Sequence, residues 1–241
     1  MIFKGIQKVS LIDYPHKICA VVFTGGCNFS CHYCHNPELV KDYKELPDIT
    51  DFQIITFLES RKGFIDALCI SGGEPTLHKE LPDFIAQVKK VCSEQLILDG
   101  IERSRTTEFL VKLDTNGTNP EMLKELFEKK LVDYIAMDIK TTPAKYSKVT
   151  DVEVDISKIS ESIKIIMQSG IDYEFRTTVY PDILSQEDAK EIAEWVKDAR
   201  FYVLQKPRPD KTLDPAFKQT KLYSDSELLA ITRLLPNCII R

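Results

Sequence analysis

The chain has 241 residues, 43% of them hydrophobic and 29% charged, the balance of a soluble globular protein with a sizeable core. A net charge of −5 leaves no electrostatic footprint for nucleic acid. No stretch reaches the ~18 apolar residues of a membrane span, and the N-terminus lacks the apolar run of a signal peptide, so no membrane role and a cytoplasmic location are expected.

In chain order, short apolar runs alternate with longer amphipathic stretches. Strands are predicted at 18–23, 67–70, 109–114, 134–139, 173–179 and 201–205, and helices at 52–61, 81–92, 120–130, 156–169, 185–199 and 224–235. Ser185 and Ser224 suit N-caps, and Pro120 suits a first helical turn. Strands separated by helices of this length imply right-handed crossovers and a parallel sheet. Nothing resembles a linker, so a single domain over 1–241 is expected, with a core of about 18–205 and a C-terminal loop and helix at 206–241.

Polar residues follow the strands one after another: "TGGCN", "SGGEPT", "DTNGT" and "DIKTTP". An open doubly wound sheet concentrates its chemistry at one switch point, whereas a barrel spreads it over the carboxyl ends of all strands. Six units are fewer than the eight of a closed barrel. The expected fold is therefore α/β, a partial (β/α)6 TIM-like barrel of parallel strands with an open side.

Seven cysteines in a reducing compartment argue against a disulfide framework. Cys27, Cys31 and Cys34 cluster as C-x3-C-x2-C, while Cys19, Cys69, Cys92 and Cys238 are scattered and read as small buried hydrophobes. The triplet follows the first strand. Two ligand sets are open to it: a zinc knuckle completed by His32 or His35, or a [4Fe-4S] cluster with three thiolates and one open iron. An open iron chelates a small molecule through an amine and a carboxylate.

"GCNFSCHYCHNPE", followed by "SGGEP", "LDTNG" and "MDIK", resembles the radical S-adenosylmethionine (SAM) superfamily. "SLIDYPHKICAVVFTGGCNFSCHYCHNPELV" is similar, more narrowly, to activating enzymes of glycyl-radical enzymes. It most resembles the anaerobic ribonucleoside-triphosphate reductase activating group, less the pyruvate formate-lyase activators. The resemblance covers about residues 5–205.

It implies a cluster on Cys27, Cys31 and Cys34, with SAM on the open iron. Gly72 and Gly73 would let backbone approach the methionine ammonium, with Glu74 supplying negative charge beside it. Tyr33 offers a surface for the adenine, with His35 its neighbour. Lys140 suits the methionine carboxylate, and Ile139 precedes it on the same strand end. Asp114 and Asp138, ending adjacent strands, would repel each other unless a monovalent cation, with Thr115 contributing, or the sulfonium sat between them. The implied chemistry is one-electron reduction by a flavodoxin or ferredoxin and cleavage of SAM. The resulting 5′-deoxyadenosyl radical takes hydrogen from a glycine of a partner enzyme, with anaerobic ribonucleotide reductase expected.

Related activators often carry a His after the last barrel strand. This chain has Gln205, Lys206 and Arg208 there. The 94–108 connection is longer than expected and belongs to the face away from the chemistry. The segment 206–220, rich in proline and without periodicity, is expected to lie mobile over the site and to meet the partner. Three alternatives stand beside this reading: an activator of a pyruvate formate-lyase-type enzyme, a radical SAM enzyme on a small molecule such as a deazapurine synthase, and a non-catalytic zinc module.

Overall fold

The computed structural model describes residues 1–92, 97–98, 101–102 and 108–241. The long 94–108 connection thus falls almost wholly outside the described residues. Within it, the two-residue strands β5 (Ile97–Leu98) and β6 (Ile101–Glu102) pair antiparallel.

Six parallel strands form the body: β2 (Cys19–Thr24), β4 (Ala67–Gly72), β7 (Leu110–Thr115), β8 (Tyr134–Asp138), β9 (Asp172–Thr178) and β10 (Tyr202–Gln205). Each pairs with its successor, so the order never reverses. A doubly wound sheet must reverse at a switch point; this sheet winds one way, as a barrel wall does. Two edges stay unjoined, β3 (Ile49–Thr50) at one end and β11 (Cys238–Ile240) at the other. The barrel is open.

Three strands of this sheet escaped the sequence pattern. β1 (Ile2–Ser10) runs antiparallel beside β2 and carries β3 outside it, so the sheet begins well before residue 18. Its irregular register and mostly solvated residues erase the period of two that betrays a strand. β11 is three residues long and continues the parallel run past β10.

The connecting helices are α2 (Asp51–Glu59), α3 (Leu81–Cys92), α4 (Pro120–Glu128), α6 (Ile156–Gln168), α7 (Gln186–Trp195) and α8 (Asp225–Thr232), with the short α1 (Pro37–Val40) and α5 (Tyr146–Thr150) between them. Ser185 and Ser224 close capping boxes on α7 and α8, and Pro120 opens α4 behind the cap Asn119.

The two faces of the sheet differ. Ala20, Val22, Leu68, Ile70, Val111, Leu113 and Ile135 join the large core under the helices. Cys19, Val21, Ala67, Cys69, Tyr134 and Ala136 point to the inside, with Tyr14 from the β1–β2 turn packed on Tyr134 at 5.5 Å. Cys19 and Cys69 are buried as expected, but Cys92 and Cys238 are half-buried. Both lie at element ends, where neighbours cover one side only.

Candidate active site

The cysteine loop begins where β2 ends, and backbone bonds fix it to the loop after β4. Gly73 and Glu74 N–H donate to the carbonyls of Thr24 (2.9 Å) and Gly26 (2.8 Å). A Cβ on Gly73 would lie 1.9 Å from the Gly26 oxygen, and one on Gly72, at φ +125°, would lie 2.2 Å from the Thr24 nitrogen. The clash is with protein backbone. Gly72 and Gly73 are therefore required for two loops to touch, at the edge of the space expected to take a ligand.

A cavity of about 170 Å³ opens between these loops. All three clustered cysteines line it, as do Tyr33, His35, Gly72, Gly73 and Glu74. Asp114, Thr115, Asp138 and Lys140 complete the expected set. Ile139 does not belong. It is fully buried in the core, its N–H and C=O bonded to Arg176 and Thr177 of β9.

Burial pushes the Cys27 thiol up to about 12, with Glu74 adding to the shift, and the Cys31 thiol to about 11. The Cys34 thiol is raised for the same reason. Buried thiols stay protonated until a metal displaces the proton.

Glu74 is 1% exposed and spent on the fold. Its carboxylate accepts from Thr76 N–H (3.1 Å), Thr115 Oγ1 (2.8 Å) and Asn116 N–H (2.6 Å), bracketing the β4 loop to the β7 loop. Burial raises its pKa, although these bonds oppose the shift. The residue expected to place negative charge beside a ligand lines the cavity and also ties the two loops together. Thr115 is tied with it.

His35 Nε2 accepts the Arg208 N–H at 3.2 Å, and burial, then Arg208, lowers its pKa. Tyr33 packs against Tyr180 and Phe217, at 5.9 and 6.3 Å, and its buried hydroxyl has no partner among the described residues. The segment after β10 is docked rather than free. Asp214 N–H donates to the His32 carbonyl (2.8 Å), Lys211 pairs with Glu38 (2.7 Å), and a 3-10 turn at Pro215–Gln219 sets Phe217 on the aromatic cluster. It lies beside the cysteines as expected, but its own proline turn and backbone bonds hold it there. Gln205 lines the cavity where a His was sought, while Lys206 turns away to Asp225.

Asp114 and Asp138 share one wall, and their repulsion is already met. Arg176 of β9 reaches Asp138 Oδ1 (2.7 Å) and Asp114 Oδ1 (3.4 Å). Lys140 holds Asp138 Oδ2 (3.0 Å), so this ammonium is not free for a carboxylate alone. Burial alone would push both carboxyls up; Arg176 and its lysine partners outweigh it and hold them low. Sequence reasoning missed Arg176, Asn116 and Lys112. The signal was there: "LVKLDT" and "YEFRTT" set charges two residues apart, on one side of a strand.

The donor set fits an iron–sulfur cluster. Three free thiols of one loop face one cavity, and a cluster with an open iron takes one thiolate per iron.

The radical SAM superfamily profile matches residues 21–199. The chain belongs to that superfamily. A protein of Methanocaldococcus jannaschii bearing the name "Putative glycyl-radical enzyme activating enzyme" is 35% identical over 98% of this chain and 94% of its own length. The pyruvate formate-lyase-activating enzyme of Clostridium pasteurianum is 28% identical over 81% of this chain and 76% of its own. Among solved structures, Streptococcus suis SuiB bound to S-adenosylmethionine superposes with a TM-score of 0.61 at 12% identity, over 90% of this chain and 48% of that one. That likeness bears on the fold. Membership makes the chain a radical SAM enzyme of the glycyl-radical activating group and implies a [4Fe-4S] cluster with SAM. Among the described residues, no helix is long and apolar enough to cross a membrane.

Proposed function

We propose that this radical SAM enzyme generates the glycyl radical of an anaerobic ribonucleotide reductase, with a flavodoxin or ferredoxin as electron donor. Cys27, Cys31 and Cys34 hold the cluster, which when bound supplies the electron that cleaves SAM. The observation that carries the assignment is the convergence of those three thiols with two paired carboxylates on one cavity at the strand ends. Asp114, whose Oδ2 makes no hydrogen bond among the described residues, is the acceptor for a cationic or hydroxyl group of SAM. Tyr33 gives that ligand an apolar wall and excludes water.

The N-terminal stretch through "DYPHK" supports the choice of reductase; the C. pasteurianum relative favours a pyruvate formate-lyase-type partner as the second reading. Segment 206–220, held beside the cysteine loop by Asp214 and Lys211, is the surface that meets the partner. The deciding experiment is anaerobic: reduced, reconstituted protein, SAM and each candidate partner, read by the glycyl-radical EPR doublet. A doublet on the reductase alone supports the assignment, and a doublet on the formate-lyase-type partner alone replaces it. Deletion of 209–218 should spare uncoupled SAM cleavage and suppress the doublet; full radical yield from the deleted form would remove the segment from recognition.

A further inference from the structure

Two carboxylates at the ends of neighbouring strands, in a wall poor in water, need positive charge between them. In this chain the charge is covalent. Lys112 lies two residues before Asp114 on β7, hence on the same side of the strand, and its side chain is 2% exposed. Its ammonium donates to Asp114 Oδ1 at 2.6 Å. The other groups close to that ammonium are the Cys69 sulfur at 4.0 Å and the Tyr134 ring at 5.9 Å. Neither is an anion, since burial pushes the Cys69 thiol well up, and beyond them Arg176 and Glu174 act on the ammonium more weakly than Asp114 and with opposite signs.

Arg176 is shared three ways. It reaches Asp138 at 2.7 Å, Asp114 at 3.4 Å and Glu174 at 4.0 Å. Lys140 belongs to Asp138, and Arg241 closes Glu174 from the solvent side at 3.0 Å. Every carboxylate of the wall therefore has a cation of its own besides the shared guanidinium, and Lys112 is the one that belongs to Asp114. The network carries no net negative charge with which to hold a free ion.

We propose that the Lys112 ammonium is the built-in counter-ion of Asp114, a positioning residue that makes the site independent of any alkali cation. Without it, Asp114 would have only a share of one guanidinium, and the excess negative charge at that end of the wall, where no other cation among the described residues reaches, is what recruits sodium or potassium. The unpartnered Oδ2 of Asp114 then stays free for the ligand rather than being spent on an ion.

The test replaces Lys112 by Met, which keeps the length of the side chain and removes its charge. It is read twice, in potassium chloride and in choline chloride at equal concentration. The first readout is the melting temperature of the protein without SAM, which does not depend on the proposed function. Wild type should melt at the same temperature in both salts, whereas Lys112→Met should gain about 3 °C or more from potassium. The second, resting on the SAM reading of the cavity, is SAM affinity of the cluster-loaded protein by calorimetry. Lys112→Met should lose about tenfold or more in choline chloride and recover most of it in potassium chloride, while wild type does not respond. Lys112→Arg should behave as wild type. If Lys112→Met does not fold in either salt, Lys112→Met with Asp114→Asn removes both charges; it should fold and be indifferent to potassium. A wild type that needs potassium, a Lys112→Met that ignores it, or a double variant that still requires it would each overturn the proposal. A wild type that fails to bind SAM while the melting pattern holds would remove the SAM reading and leave the counter-ion in place.

Discussion

The two faces of the parallel sheet are built on opposite principles. The helix-side face is uniformly apolar: Val22, Ile70, Leu113 and Ile135 succeed one another across four strands, each fully buried. The inner face changes character from strand to strand, with small side chains on β2 and β4 giving way to Lys112, Asp114, Asp138, Glu174 and Arg176 on β7, β8 and β9. Dispersion and burial hold the first, and many residues of similar volume would serve. Ions hold the second, where each group is specified by its partner and removal of one member strands another. Function sits where substitution is least free.

The largest effect should come from the loop that opens onto the inner face. Cys27→Ala, Cys31→Ala or Cys34→Ala should abolish cluster retention, read as loss of iron and of absorbance near ~400 nm after anaerobic reconstitution. Cys69→Ala, on the small apolar part of the same face, should keep its iron. A folded Cys69 variant without iron would show that the ligand set is wrong.

Next is the ion network. Arg176→Met leaves Asp114, Asp138 and Glu174 with one cation each and no bridge between them, and should destabilise the protein by about 3 kcal/mol in urea unfolding. The matching change on the helix-side face, Ile70→Val, should cost about 1 kcal/mol and leave SAM binding untouched. If the two variants unfolded at the same urea concentration, the contrast between the faces would collapse.

The contrast also explains what the sequence disclosed. Helices announced themselves by period and cap: the pattern over 81–92 coincides with α3, and Ser185 and Ser224 cap α7 and α8. The cysteine spacing and the polar strand ends identified the residues around the cavity, because ligand chemistry demands particular side chains at fixed intervals. Their division of labour was not legible. Glu74 and a ligand-facing carboxylate look the same in one dimension; only the approach of Thr115 and Asn116 across two loops makes Glu74 structural. Gly72 and Gly73 were read as sites of close approach, but their contact with the Thr24 and Gly26 backbones was not legible, since those come from a distant part of the chain. Arg176 was passed over because Glu174 and Arg176 alternate with Tyr173, Phe175 and Thr177, and their shared face shows only when each side of the strand is read separately.

The smallest expected effect lies on the helical layer, where charge acts at the rim of an apolar face and should behave differently from the buried wall. Asp188 is the third residue of α7; it accepts from Ser185 N–H (2.8 Å) in the capping box and from Lys145 (2.7 Å). Burial would raise its pKa, but the bonds from Lys145 and Ser185 outweigh that and hold it below the usual value. A depressed folded pKa means the folded state binds the proton less readily than the unfolded chain. Its contribution is therefore complete above the unfolded value of about 3.9 and is lost as pH falls through the folded value. Lys145 is half-exposed, so solvent screens the pair, and the capping bond is left as the larger part. Asp188→Asn should be less stable than wild type by about 1 kcal/mol at neutral pH, with the gap closing below about pH 4 as the wild-type carboxylate protonates. Urea unfolding of the pair across that range reads it directly. A gap that stayed constant down to pH 3 would mean the amide loses shape complementarity rather than charge, and the rim would then follow the packing rules of the helix-side face.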